Sequence, residues 1–221
     1  MPYIHHSRKY HLNQNFFAYW SPTMSYVLGF WFADGYMRHE KSYRIVFGSI
    51  DFDHLKLIKK ALGSTSPIVR WRRHGILEKT NILCVRSKKL YFDLQALGGK
   101  RNKSITLRFP SFSDEFLADF IRGYFDGDGS VHFIKYKHSK NGKIYTNIRS
   151  NFTCGSKPFL ESLRDILTNK LNLYYKKVCQ YGPHQFKLGY GQNDTGRLLK
   201  YMYYPNHPIS LWRKAKFLKE F

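Results

Sequence analysis

Cysteine is scarce in this 221-residue chain: Cys84, Cys154 and Cys179 stand far apart, an odd number with no close pairing. That excludes a disulfide framework and a cysteine-built zinc site. It points to an intracellular reducing compartment, either cytoplasm and nucleoid or an organelle matrix. Long apolar runs are missing as well. No stretch approaches the roughly 18 uncharged apolar residues of a spanning helix, so no membrane partner is expected. Met1 to Tyr19 holds no apolar signal core, which argues against secretion. His5 and His6 in that segment read as part of a flexible basic arm rather than as a metal-binding pair.

Acid is also short. Asp and Glu number 15 against 37 Lys and Arg, a formal charge of +22. Such self-repulsion destabilises a compact chain unless a polyanion lies close. The basic residues run from Arg8 to Lys219, interleaved with aromatics that make up 18% of the chain. A folded surface that tracks a phosphate backbone has this composition. A membrane-surface protein or a basic ribosomal-type protein would share the charge alone. The hydrophobic share of 43% supports a buried core.

What the chain does have is an internal repeat. Tyr26-Val-Leu-Gly-Phe-Trp-Phe-Ala-Asp-Gly-Tyr36 is echoed by Phe120-Ile-Arg-Gly-Tyr-Phe-Asp-Gly-Asp-Gly-Ser130. Gly29, Asp34 and Gly35 match Gly123, Asp128 and Gly129 at one offset, 94 (128 − 34 and 123 − 29). Strand-like stretches follow at Tyr43–Ile50, Ile68–Arg73 and Asn81–Arg86, with helices at Phe52–Leu62 and Lys88–Leu97. After the second segment come strands Val131–Lys137 and Lys143–Thr153, helix Lys157–Leu171, strands Tyr174–Tyr181 and Gln185–Tyr190, and helix Asp194–Tyr203. Each half reads as αββαββα, an α+β unit too small to bury its sheet alone, so a pseudo-two-fold pair is expected. Residues 1–20 form a basic extension, 21–105 the first repeat and 106–221 the second. Gly98–Ser111 serves as linker, and Trp212–Phe221 as a short closing basic helix.

The repeated segments are apolar helices. Ser21-Pro22 caps the first, and Ser113 with Asp114 caps the second. Gly29 and Gly123 cost each helix about 1 kcal/mol relative to alanine, which makes sense where another backbone approaches. Ala33 and Gly127 extend the same small face without offering a side-chain ligand, so the helices should pack on each other. Each then ends in Asp-Gly. A carboxylate at a helix C-terminus opposes the dipole, and two of them brought together repel. Bound cations account for both costs, and oxygen-only ligation suits Mg²⁺ or Mn²⁺, with Ca²⁺ able to occupy the same sites. Asp34 and Asp128 are therefore the candidate metal ligands, one for each strand of a duplex.

In Val27-Leu-Gly-Phe-Trp-Phe-Ala-Asp-Gly35 and Ile121-Arg-Gly-Tyr-Phe-Asp-Gly-Asp-Gly129 the chain resembles the LAGLIDADG homing endonucleases, in their single-chain, two-motif form. The resemblance spans about Asn15 to Phe221. It implies a monomeric saddle of two antiparallel sheets on duplex DNA, with the motif helices at the centre. Cleavage is implied across the minor groove, leaving short 3′ overhangs. It also implies a lysine near each active site, here Lys103 in Asn102–Pro110 and Lys214 in Trp212–Phe217. Phe32 departs from the pattern where Asp126 stands in the second motif, a position with a capping or packing role. Aligning Phe47 with Phe152 puts Asp51 and Ser156 where the family positions water.

Strand alternation separates a core face from a DNA face. Asn147, Arg149 and Asn151 share the outward parity of one strand, with His132, Gln185 and Lys187 beside them. Arg44, Arg70 and Arg72 are the outward candidates of the first half. Such side chains can read base edges in the major groove. The two halves differ there, so the target is expected to be long and only weakly palindromic. Competing readings keep the scaffold and drop the cutting: an RNA maturase with intron RNA as partner, or a non-cleaving DNA-binding protein.

Overall fold

The structure, a computed structural model, describes residues 9–73, 76–139 and 141–221. His5 and His6 lie outside the described residues. The first half runs α1 (Pro22–Asp34), β1 (Gly35–His39), β2 (Tyr43–Ser49), α2 (Phe52–Ala61), β3 (Ile68–Arg73), β4 (Ile76–Arg86) and α3 (Lys88–Ala96). The second repeats it as α4 (Leu117–Asp128), β5 (Gly129–Lys137), β6 (Ile144–Cys154), α5 (Lys157–Leu171), β7 (Cys179–Gly182), β8 (Gln185–Tyr190) and α6 (Gln192–Met202). The chain closes with α7 (Trp212–Ala215) and a 3₁₀ turn, Lys216–Glu220, rather than one continuous helix.

Each half holds one four-stranded antiparallel sheet, ordered β1-β2-β4-β3 and β5-β6-β8-β7. This is the duplicated α+β architecture that the repeat implies. Three strands differ from expectation, and one of them, β4, begins at Ile76 rather than at Asn81. β1 is required by the αββαββα reading but was given no residues, because the Gly-Tyr-Met-Arg-His run is too short to show alternation. The strand expected from Tyr174 begins only at Cys179. Tyr174 and Tyr175 are exposed and paired with cations instead, Lys176 and Arg164 lying over their rings.

Helix α1 starts where Ser21 accepts a hydrogen bond from the Met24 N–H, with proline in its first turn. From Met24 to Phe32 it is buried on every side. It packs most extensively on α4, and the contact is set by glycine. A Cβ at Gly29 would run into the Phe120 carbonyl, and one at Gly123 into the Tyr26 carbonyl. These are the same contact twice, related by the repeat. Further along, Gly127 meets the Cβ of Ala33. The helices thus converge on the ends that carry the two aspartates. Gly35 and Gly129 follow them in extended conformation, so they serve space rather than a left-handed cap. A side chain there would meet the Trp31 and Phe125 rings.

Candidate active site

Asp34 ends α1 and Asp128 ends α4, side by side across the helix contact. Asp34 lies against Gly127, where a Cβ would sit 3.1 Å from Asp34 Oδ2. The Asp34 carboxyl is pushed up to about 6, first by loss of hydration among the surrounding protein atoms and then by the charge of Asp128. Its side chain nevertheless opens onto a cleft, so water screens part of that cost. Burial raises Asp128 as well, opposed by Lys103 and then Lys214. Thr153 donates to the Asp128 main-chain carbonyl at 2.8 Å and holds that helix end in place.

The two lysines are buried at the same helix ends. Lys103 Nζ donates to the carbonyls of Phe32 at 2.7 Å and Ala33 at 3.0 Å, closing α1. Lys214 Nζ donates to Phe125 and Gly129 at 2.6 Å and to Asp126 at 2.8 Å, closing α4. A cation is favourable at a helix C-terminus, and these two supply it where the aspartates would otherwise stand uncompensated. Burial lowers both ammonium groups to about 8, with the nearby aspartates pulling upward. The influence crosses over. Lys214, which caps α4, acts on Asp34 more strongly than Lys103 does. Lys103, which caps α1, is the stronger on Asp128. Both carboxylates thus stand in the field of both lysines.

Asp126 faces away from this pair. It is buried, accepting from Tyr203 at 2.6 Å, Tyr26 at 2.7 Å and the Leu211 N–H at 2.7 Å. Loss of hydration raises it despite those three donors. His54 joins through the Tyr26 hydroxyl at 3.2 Å and is lowered to about 4 by burial. The repeat carries Tyr26 onto Phe120, Asp126 onto Phe32 and His54 onto Phe159. The counterpart of the polar cluster is thus aromatic, with Phe32 and Phe120 edge to face at 5.3 Å. The Phe32 departure is half of a paired exchange. By fixing Leu211, Asp126 also anchors the segment that delivers Lys214.

The water-positioning candidates separate. Ser156 is buried and its hydroxyl is spent on the Leu107 carbonyl at 2.7 Å, so it does not reach the aspartates. Aligned strands placed it correctly, but the linker covers it. Asp51 stands before α2 and accepts from Arg213 Nε at 3.0 Å.

Cross-strand register sorts the DNA-face candidates. His132 pairs with Arg149, and Lys187 with Thr153, all on the face away from the core, where Asn147 and Gln185 also fall. Asn151 has that parity but is buried, donating to Ser130 at 2.7 Å, so it supports the sheet rather than offering itself. Arg44 is on the open face of the first sheet. Arg70 and Arg72 are corrected. Arg70 pairs with Asn81, on the side of Ile68 and Leu83, and a bulge keeps Arg72 on that same side. Trp71 takes the place on the open face instead and lines the Asp34 cleft. Two residues were missed: Arg38 and Arg86 flank Arg44 directly across the strands. Three adjacent arginines repel, and a polyanion resolves that. Carrying the Arg44 parity across the hairpin would have found Arg38.

Among the described residues no three His, Cys, Asp or Glu side chains gather to hold a metal. Two carboxylates at converging helix ends do present an oxygen-only donor set with unbalanced negative charge. That fits a hard divalent cation whose remaining ligands come from water or phosphate.

Residues 115–178 match the model of the LAGLIDADG-like domain. No curated protein matches the chain. Among solved structures, the meganuclease I-SmaMI bound to uncleaveable DNA is 14% identical with TM-score 0.63, over 90% of this chain and 89% of that one. The meganuclease I-AabMI bound to uncleaved DNA is 14% identical with TM-score 0.62, over 91% and 88%. I-SmaMI has also been solved on an uncleaved target in the presence of calcium ions, with TM-score 0.56 and 14% identity over 84% of each chain.

Proposed function

With a LAGLIDADG-like domain in its second half and the fold of LAGLIDADG meganucleases over nine-tenths of its length, we propose that this protein is a site-specific DNA endonuclease. It makes a double-strand break in a long, weakly palindromic duplex by metal-dependent phosphodiester hydrolysis. The observation that carries this is the pair of aspartates at converging helix ends, with a buried lysine closing each of those ends. A binding protein gains nothing from unbalanced carboxylates set among phosphates.

Asp34 and Asp128 would hold the cation, with Mg²⁺ the choice for this oxygen set and Mn²⁺ or Ca²⁺ able to enter. Once bound, it supplies Lewis-acid stabilisation and makes water acidic near neutral pH. The chain's own residues do the rest. Arg38, Arg44 and Arg86 on one sheet, and Arg149 and Lys187 on the other, seat the duplex across the helix ends. Lys103 and Lys214 hold positive charge in place before the phosphates arrive, which costs no reorganisation during reaction. Both carboxylates belong to one chain, so a monomer offers a site for each strand.

The test is a cleavage-site selection. The protein is incubated with a randomised or genomic duplex library and Mg²⁺, and the ends are sequenced. Paired breaks at one long motif, lost in EDTA and in Asp34→Asn and Asp128→Asn, are expected. Tight binding without ends under Mg²⁺ or Mn²⁺ overturns the reading in favour of a maturase or a repressor.

A further inference from the structure

The two carboxylate sites differ at the residue that precedes each lysine. Arg213 stands before Lys214, whereas Asn102 stands before Lys103. The repeat also carries Asp51 onto Ser156. One site therefore has a guanidinium and a carboxylate where the other has an amide and a hydroxyl.

Arg213 reaches from the closing segment of the chain to the N-terminus of α2. Its Nε donates to Asp51 Oδ2 at 3.0 Å. Among the described residues its two Nη groups make no hydrogen bond to protein. The guanidinium is half exposed and lines the cleft of Asp34, Ser49 and Gly127. It lowers the pKa of Asp34, while Lys103 and Lys214 are the cations that act on Asp128. The counterpart positions carry no charged side chain. Asn102 sits in a left-handed conformation at φ 52°, and Ser156 is buried under the linker.

An exposed ion pair contributes little to stability, so a bridge between halves explains this arrangement poorly. A guanidinium steadied through Nε with both Nη groups free is suited to phosphate, which it meets with two parallel hydrogen bonds. Resting on the endonuclease reading, we infer that Arg213 is a one-sided phosphate clamp. It grips DNA at the Asp34 site alone, so the strand served by Asp34 is cut before the strand served by Asp128.

The experiment uses the full chain and a duplex carrying the selected target, with a different dye on each strand. Single-turnover rates are read for both strands in wild type, Arg213→Ala, Arg213→Lys and Asp51→Asn. Wild type should cut one strand first. Arg213→Ala should slow that strand about tenfold, the worth of a charged hydrogen bond, and leave the other within about twofold. Arg213→Lys should recover part of the loss, and Asp51→Asn should shift the strand ratio the same way by less. Equal slowing of both strands means a merely structural bridge and overturns the clamp, as does an unchanged ratio.

A wild type that binds but cuts neither strand rejects the endonuclease reading and leaves the clamp to be decided on binding. Single neutral methylphosphonates are then stepped through the bound site on each strand. One position on one strand should weaken wild type about tenfold and leave Arg213→Ala unaffected. If no position separates the two proteins, or no duplex is bound, there is no clamp.

Discussion

Asp34 is asked to lose its proton beside another carboxylate, and its pKa of about 6 records the cost. The neutral form is favoured in the folded state relative to the unfolded chain, whose carboxyl titrates near 3.8. A raised pKa contributes stability that is complete below the unfolded value and lost as pH rises through the folded one. Without metal, wild type should therefore be weakened as pH climbs from about 4 to above 6. The full shift would correspond to about 3 kcal/mol, but the carboxylate opens on water, so on the order of 1 kcal/mol is expected. Asp34→Asn removes that ionisation. Its metal-free melting temperature should exceed that of wild type at pH 8 by a few degrees and converge with it near pH 4. Mg²⁺ should stabilise wild type at pH 8, fade below pH 6, and leave Asp34→Asn largely unmoved. Melting curves over pH check this. A variant less stable than wild type at pH 8 without metal would show that Asp34 holds the helix end together rather than straining it.

At the scale of elements, the contact between α1 and α4 decides where both aspartates stand. Alanine is the better helix former by about 1 kcal/mol, so an isolated-helix argument has Gly29→Ala and Gly123→Ala stabilising. The structure reverses the sign, because each new methyl meets a carbonyl of the partner helix that cannot move alone. Overpacking costs about 1–3 kcal/mol and should outweigh the propensity gain, lowering the denaturant midpoint. Gly189→Ala, with nothing within 4 Å of the added atom, serves as the neutral control. A rise in stability for Gly29→Ala would mean that the helices stand farther apart than described. This contact was legible in the amino-acid sequence, since small residues recur at one offset on helices otherwise too apolar to face water. The lysines were assigned from resemblance, and their hold on the two helix ends was not legible, because it depends on the loops that carry them. Strand parity was legible only where alternation is regular. Arg149 and Lys187 follow it, whereas Arg70 and Arg72 were misread: both share the parity of Ile68, which pairs with core Leu83, and the bulge beyond Arg70 leaves that side unchanged. Asn151 has the right parity, but its neighbour Ser130 had no signal in the local pattern.

For the whole molecule, the charge of +22 makes two demands on salt that oppose each other. In the free protein the cations repel, and across the first sheet Arg38, Arg44 and Arg86 stand in one row. Most ion pairs among the described residues have at least one exposed partner and offset little of this; Arg122 with Asp119 is the buried one. Salt shortens the reach of repulsion to about 8 Å at physiological strength. The free protein should therefore melt higher as NaCl rises from low concentration. DNA binding should go the other way. A protein making six to ten phosphate contacts loses roughly a thousandfold or more in affinity between about 50 and 200 mM salt. Arg86→Ala separates the two demands within one residue. In low salt it should raise the melting temperature of the free protein by relieving Arg44, and it should weaken DNA binding, reducing the slope of log affinity against log salt by about one. Calorimetry and a salt titration of binding read the two effects independently. If Arg86→Ala lowers both stability and affinity, the arginine row is held by contacts within the protein, and its use as a surface for the phosphate backbone is wrong. If stability rises while affinity and slope stay as they were, the repulsion is real but DNA passes elsewhere, and the duplex must lie off the first sheet. Only the opposed pair of changes fits a face whose internal strain is relieved by the polyanion it binds.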